Sequence, residues 1–250
     1  MPSESPIPAL SGGLRDFFTG AFLPLKSLRL VFQGGKLLGL SLVSSIVTGI
    51  TLVGLFVGLW PVSSRIARAI IGDASLGWLL GFVVYLVLVV IGALSIPALV
   101  LAPLQDPISE ATEERCGGFT APPFSVGRFF KSIGTSLAHT ASRLAIIVFG
   151  FLVLFPLHFV PGVGSVVYFL LSTAWAAWWL SAEYLSGPMA RHLLPFKKVT
   201  QVMRAHPSVS LGFGLALYVM LWVPVLNFFL VPIAVVGGTL LFRALQPHLP

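Results

Sequence analysis

Apolar positions run along this chain in two different registers. Between residues 14 and 33 they recur at helical spacing: Leu14, Phe17, Phe18, Ala21, Phe22, Leu25, Leu28 and Phe32. Arg15, Asp16, Thr19, Lys26, Arg29 and Gln33 fall mostly on the other side. That pattern predicts an amphipathic helix over 14–33, lying in a membrane interface or else packed as a core helix. After Gly34-Gly35-Lys36 the register changes. Residues 37–60 and 76–103 are uncharged and exceed the about 20 residues that cross a bilayer. They predict two transmembrane helices joined by a polar connector over 61–75. A polar helical region follows over 104–143, with Asp106-Pro107 as a helix start, Asp as cap and Pro in the first turn.

The second half alternates shorter apolar arms with breaks. Residues 144–157 are apolar but reach only about 21 Å as a helix, short of a hydrocarbon core of about 30 Å. "HFVPGVG" then interrupts with His158, Pro161 and Gly162, and a second apolar arm returns to residue 182. A basic segment over 183–207 carries Arg191, Lys197, Lys198 and Arg204. Residues 208–246 repeat the scheme around Pro224 and Asn227. Each pair reads as a helical hairpin, 144–182 and 208–246, that enters the bilayer and returns to the same face. Four ordinary short spans are the alternative. Non-helical backbone at depth needs protein or water around it, and polar groups there are functional candidates, which marks His158 and Asn227. Trp175, Trp178, Trp179 and Trp222 read as interface or packing aromatics.

Composition agrees with lipid as the solvent. Of 250 residues, 56% are hydrophobic and 9% charged, against roughly 25% charged in soluble domains. Mean hydropathy is +0.97. Residues 1–13, "MPSESPIPALSGG", have no basic or apolar signal region and read as a disordered lead-in. With one cysteine, Cys116, neither a disulfide within the chain nor a Cys-rich metal site can form. Net charge is +7, from basic residues scattered over loops. That favours lipid headgroups or an anionic solute and gives nucleic acid no support. With two full spans and two returning hairpins, only Arg65 and Arg68 of the fifteen Lys and Arg lie on the far side. The other side is then cytoplasmic by the positive-inside rule. Four complete spans would give the same sidedness. The chain lacks GxSxG, HExxH, a Walker loop and a nucleotide fingerprint, so it reads as neither an enzyme nor, alone, an ATP-driven pump, and it implies no cofactor.

Four stretches, in this order and spacing, carry a resemblance: "FFTGAFLPLKSLRLVFQGGK", "APLQDPISEATEERCGG", "VPGVGSVVYFLLSTAWAAWWLSAEYLSGPMARHLLPFKKVTQVMRAH" and "VPVLNFFLVPIAVVGGTLLF". The chain resembles the CysZ-like sulfate permeases, grouped with the eukaryotic etoposide-induced membrane proteins. The resemblance implies an all-α integral membrane protein of the inner membrane. Its parts would be an amphipathic interfacial N-terminal helix, two long transmembrane helices and two partly penetrating helical hairpins. It also implies homo-oligomers and sulfate entry for cysteine synthesis.

In such permeases sulfate is held where the interfacial helix turns into the first span, by a Gly-containing turn and paired arginines. Here that place reads Gly34, Gly35, Lys36, with Arg29 one turn earlier; the paired arginines are absent. Glycines let backbone N–H groups approach an oxyanion, the next helix offers free N–H groups, and Lys36 adds charge. Paired arginines would add forked contacts that one lysine cannot make. A helix break with a snorkelling lysine is the plainer reading. The family's carboxylate and arginine pattern after the second span matches Glu110, Glu113 and Arg115, a spacing that allows an ion-paired network with Glu114 or a solvated helix. Pro195-Phe196 with Arg204 matches the basic loop. The leading expectation is a passive or gradient-driven anion permease taking sulfate or a related oxyanion. A non-transporting membrane-shaping or scaffolding protein is the alternative.

Overall fold

The computed structural model of the protein describes residues 12–72, 77–116 and 126–248. The expected lead-in lies outside them except for Gly12 and Gly13. Nine helices are described: α1 (Leu14–Ala21), α2 (Leu23–Phe32), α3 (Gly35–Ile71), α4 (Gly77–Cys116), α5 (Val126–Leu154), α6 (Gly164–Arg191), α7 (Phe196–Ala205), α8 (Pro207–Leu221) and α9 (Pro224–Leu245). Short 3-10 turns occupy Phe155–Phe159 and Gln246–His248. No strand occurs among the described residues. Among the described residues, three helical stretches are long and apolar enough to cross a membrane: Gly35–Ile70, Ala141–Phe159 and Gly164–Arg191. The all-α membrane class expected from the sequence is therefore the class observed.

Several boundaries differ from the sequence pattern, for physical reasons. α3 does not stop at Trp60 but runs through Pro61 to Ile71. Ser64 Oγ donates to the Trp60 carbonyl at 3.0 Å, and the helix ends where Gly72 takes φ 63° and donates its N–H to Arg68. A left-handed residue at that place is a common helix stop, and glycine alone adopts it without strain. α4 likewise passes through Asp106-Pro107 without restarting. α5 and the turn after it extend the first apolar arm to 141–159, so length alone does not limit its depth. Prolines open α2, α8 and α9 in their first turns, where the missing N–H costs nothing.

The chain forms two compact units, residues 42–105 and residues 1–41 with 106–250. In the first, α3 and α4 lie antiparallel. Leu55 and Leu59 pack where Gly92 has no side chain, and Tyr85 Oη donates to the Phe56 carbonyl at 3.1 Å. The second unit has a continuous core that includes Leu23, Ile108, Leu185, Met189, Phe213 and Phe242. Its helices approach through small residues. A Cβ on Gly20 would strike the Val209 carbonyl, one on Gly212 the Phe17 carbonyl, one on Gly214 the Ala177 carbonyl. Such backbone-close packing is how helices associate where burying apolar area against lipid gains little.

α1 and α2 show the consequence. Their inner face is Asp16, Gly20, Leu23, Pro24, Ser27 and Val31. Leu14, Phe18, Phe22, Leu25 and Phe32 point outward. The helical spacing read from the sequence is present, but in two helices that break at Phe22 instead of one over 14–33, with the largest apolar side chains outside and Gly20, Pro24 and Ser27 beside Leu23 and Val31 inside.

Candidate functional site

α2 ends at Gln33, and Gly34 begins the turn into α3. The Gly34 carbonyl accepts the Leu38 N–H at 2.7 Å, so α3 is well ordered from its first turn. Its leading N–H groups have no acceptor within the helix. Lys36 projects from this turn and pairs with Glu114 of α4, Nζ to Oε2 at 3.0 Å. The pair is exposed, with 70% and 42% of the two side chains open. Arg115 reaches the same turn. It donates through Nη1 to the Leu30 carbonyl at 3.1 Å and through Nη2 to the Gln33 carbonyl at 3.4 Å. It thereby caps carbonyls that α2 leaves free at its C-terminus. Gly34 is buried beneath this guanidinium: a Cβ there would lie 2.5 Å from Arg115 Nη1. A Cβ on Gly35 would meet nothing within 4 Å.

The two groups of residues singled out in the sequence therefore meet. Lys36 and the α4 tail form one cationic turn, with Lys36 and Arg115 beside Gly34. Arg29 is exposed one turn earlier on α2, away from these contacts. Glu110 lies one turn from Asp106 and outside the pairings at Lys36 and Arg115. Burial pushes the Asp106 carboxyl above its ordinary range; Arg191 opposes this and Glu110 adds to it.

Glu113, the neighbour of Glu114, faces the interior with 1% of its side chain exposed. Arg191 pairs with it through Nη2, and His192 Nε2 lies 3.3 Å from its second oxygen. Arg191 Nη1 also donates to the Asp106 carbonyl at 3.2 Å. One turn away, Ser109 and Thr239 share a buried hydrogen bond of 2.8 Å. The end of α4 is thus tied to the end of α6 and to α9. The sequence reading missed Arg191 and His192 as partners of Glu113. The available signal was an arginine and a histidine ending a long apolar helix in a chain with eight acids.

The base of the first hairpin has its own polar contacts. Arg143 Nη2 pairs with Glu183 at 3.3 Å. His139 Nε2 lies 3.1 Å from the Leu194 carbonyl, its ring 5.4 Å from Phe196. Burial lowers the His139 imidazole below its ordinary value; the Leu194 contact opposes this and Arg143 adds to it. At the tip, Pro161 is followed by Gly162 at φ 83°. Gly164 has no room for a Cβ against the Leu157 carbonyl. His158 is exposed, its ring edge-on to Tyr168 at 5.6 Å. In the second break Val223 is extended and Pro224 opens α9. Asn227 falls in the first turn of α9, and its side chain lies outside the described residues. No group of three or more metal-binding side chains occurs among the described residues.

A family model described as "Sulfate transporter CysZ/Etoposide-induced protein 2.4" matches residues 23–232. Proteins described as "Sulfate transporter CysZ" from Salmonella paratyphi A, Salmonella typhi and Salmonella typhimurium are each 29% identical over 140 residues. Those residues are 56% of this chain and 55% of each relative, so the chain spans about half the length of the curated relatives it matches. The match takes in the cationic turn, the tail of α4, both breaks and the Arg191-His192 pair, and the chain belongs to the CysZ and etoposide-induced protein 2.4 family of membrane proteins.

Proposed function

We propose that the protein is a permease for oxyanions, sulfate first among them, working passively or down a gradient. The observation that carries the proposal is the turn at Gly34, where Lys36 and Arg115 come together beside the open start of α3. The printed name of the Salmonella relatives supports sulfate as the substrate. An exposed ion pair is worth about 1 kcal/mol or less, so an arriving dianion exchanges readily with the Glu114 carboxylate for Lys36. The first N–H groups of α3 and the remaining donors of Arg115 then complete its hydration shell. Arg115 supplies from α4 the second cation that the turn itself lacks.

The protein acts as a transporter, not an enzyme, in the inner membrane, with its basic loops cytoplasmic and more than one copy in the assembly. The positive-inside rule supports that sidedness. α8, with 15 residues, rises about 22 Å, against the about 30 Å of a hydrocarbon core, which supports partial penetration by the second hairpin. Uptake of radiolabelled sulfate into liposomes bearing the purified protein tests the function. Uptake equal to that of empty vesicles rejects it.

A further inference from the structure

The outer face of α1 and α2 fits no aqueous surface. It carries Leu14, Phe18, Phe22, Leu25 and Phe32, each more than half exposed, Leu14 to 77%. Gly20, Leu23, Ser27 and Val31 are turned inward. In a water-facing helix the outer face would be polar. The charges of the segment are equally one-sided. Arg15, Lys26 and Arg29 are exposed along the flank of the same apolar stripe. The one acid in residues 12–33, Asp16, is buried, and its Oδ2 accepts the Gly12 N–H at 2.7 Å. An apolar face edged by three cations and no exposed carboxylate complements a lipid surface bearing negative headgroups.

We infer that α1–α2 is a docking surface selective for acidic phospholipid, with Arg15, Lys26 and Arg29 holding headgroup phosphates while the stripe from Leu14 to Phe32 sits among the acyl chains. The inference stands apart from the transport proposal: a chain that moves no sulfate could still carry this surface. Free phosphate offers the same cations a ligand but leaves the apolar stripe in water. A second copy would cover the stripe, but at net charge +7 it would repel the cationic edge.

The test uses the full chain in lipid nanodiscs. Leu25→Cys in a Cys116→Ser background carries an environment-sensitive fluorophore. Acyl-brominated phosphatidylglycerol or phosphatidylcholine is titrated in as quencher. Phosphatidylglycerol is expected to half-quench the label at about a hundredfold lower mole fraction, since each of the three surface cations is worth about fivefold. R15Q/K26Q is expected to reduce the preference to about fivefold, the share of Arg29 alone, and the charge-keeping R15K/K26R to retain it. A label that neither lipid quenches means that protein covers the face, and overturns the inference. So does equal quenching by both lipids, or a preference abolished by millimolar inorganic phosphate at constant ionic strength.

Discussion

The Arg115 guanidinium lies directly over Gly34, a contact between residues 81 positions apart that any side chain at Gly34 would break. The Cβ of an alanine there would sit 2.5 Å from Nη1. Gly34→Ala is expected to push Arg115 off the Leu30 and Gln33 carbonyls and lower stability by about 1 kcal/mol, because the arginine can swing outward. Gly35→Ala meets open space and is expected to change stability by less than about 0.5 kcal/mol. Thermal unfolding in detergent compares the two.

In the proposed permease, Glu114 would compete with the substrate for Lys36. Glu114→Gln removes the competing charge and keeps the side chain's size. Sulfate affinity in the transport assay is expected to rise about twofold to fivefold, the range set by a weak exposed pair. An unchanged or lowered affinity would exclude the exchange.

Glu113 and Glu114 are neighbours with opposite surroundings, and their alanine variants should differ accordingly. Glu113→Ala leaves the half-buried Arg191 without its carboxylate and is expected to cost about 3 kcal/mol, a value typical of breaking a buried pair. Glu114→Ala is expected to cost less than about 1 kcal/mol. Chemical denaturation in mixed micelles reads both.

His139 gives the fold a pH dependence of defined sign. Its folded value lies below the ordinary 6.5, mainly through burial. Its contribution to stability is therefore full above about pH 6.5 and is lost as pH falls below it, because the unfolded chain takes up the proton first. Between pH 7.5 and 5 the wild type should lose more melting temperature than His139→Gln, which does not titrate. Parallel curves would remove His139 from the account.

Much of this architecture is legible in the residues. The uncharged runs, the helical spacing of residues 14–33 and the break at Gly34 all follow from local rules of period, charge and turn chemistry. Gly162 and Gly164 could be marked as a turn, though not that one needs a positive φ and the other a bare Cα. The continuation of α3 past Pro61 was not legible, because a proline inside a long helix is tolerated once neighbouring groups satisfy the freed carbonyls. The pairing of Glu113 with Arg191 and His192 spans nearly 80 residues and depends on how α4, α6 and α9 close on one another. The inward face of α1–α2 was hidden for a related reason. Spacing shows that a helix has two faces, while close contacts such as that of Gly20 with Val209 decide which one turns in.

Sulfate flux through Lys36 tests the proposal most directly. Liposomes holding the wild type should take up radiolabelled sulfate well above empty vesicles. Lys36→Ala, folded to the same melting temperature, should require about tenfold more sulfate for half-maximal uptake, the value of one charge-assisted contact. Wild-type affinity retained in Lys36→Ala would contradict the assignment of the anion to the Gly34 turn.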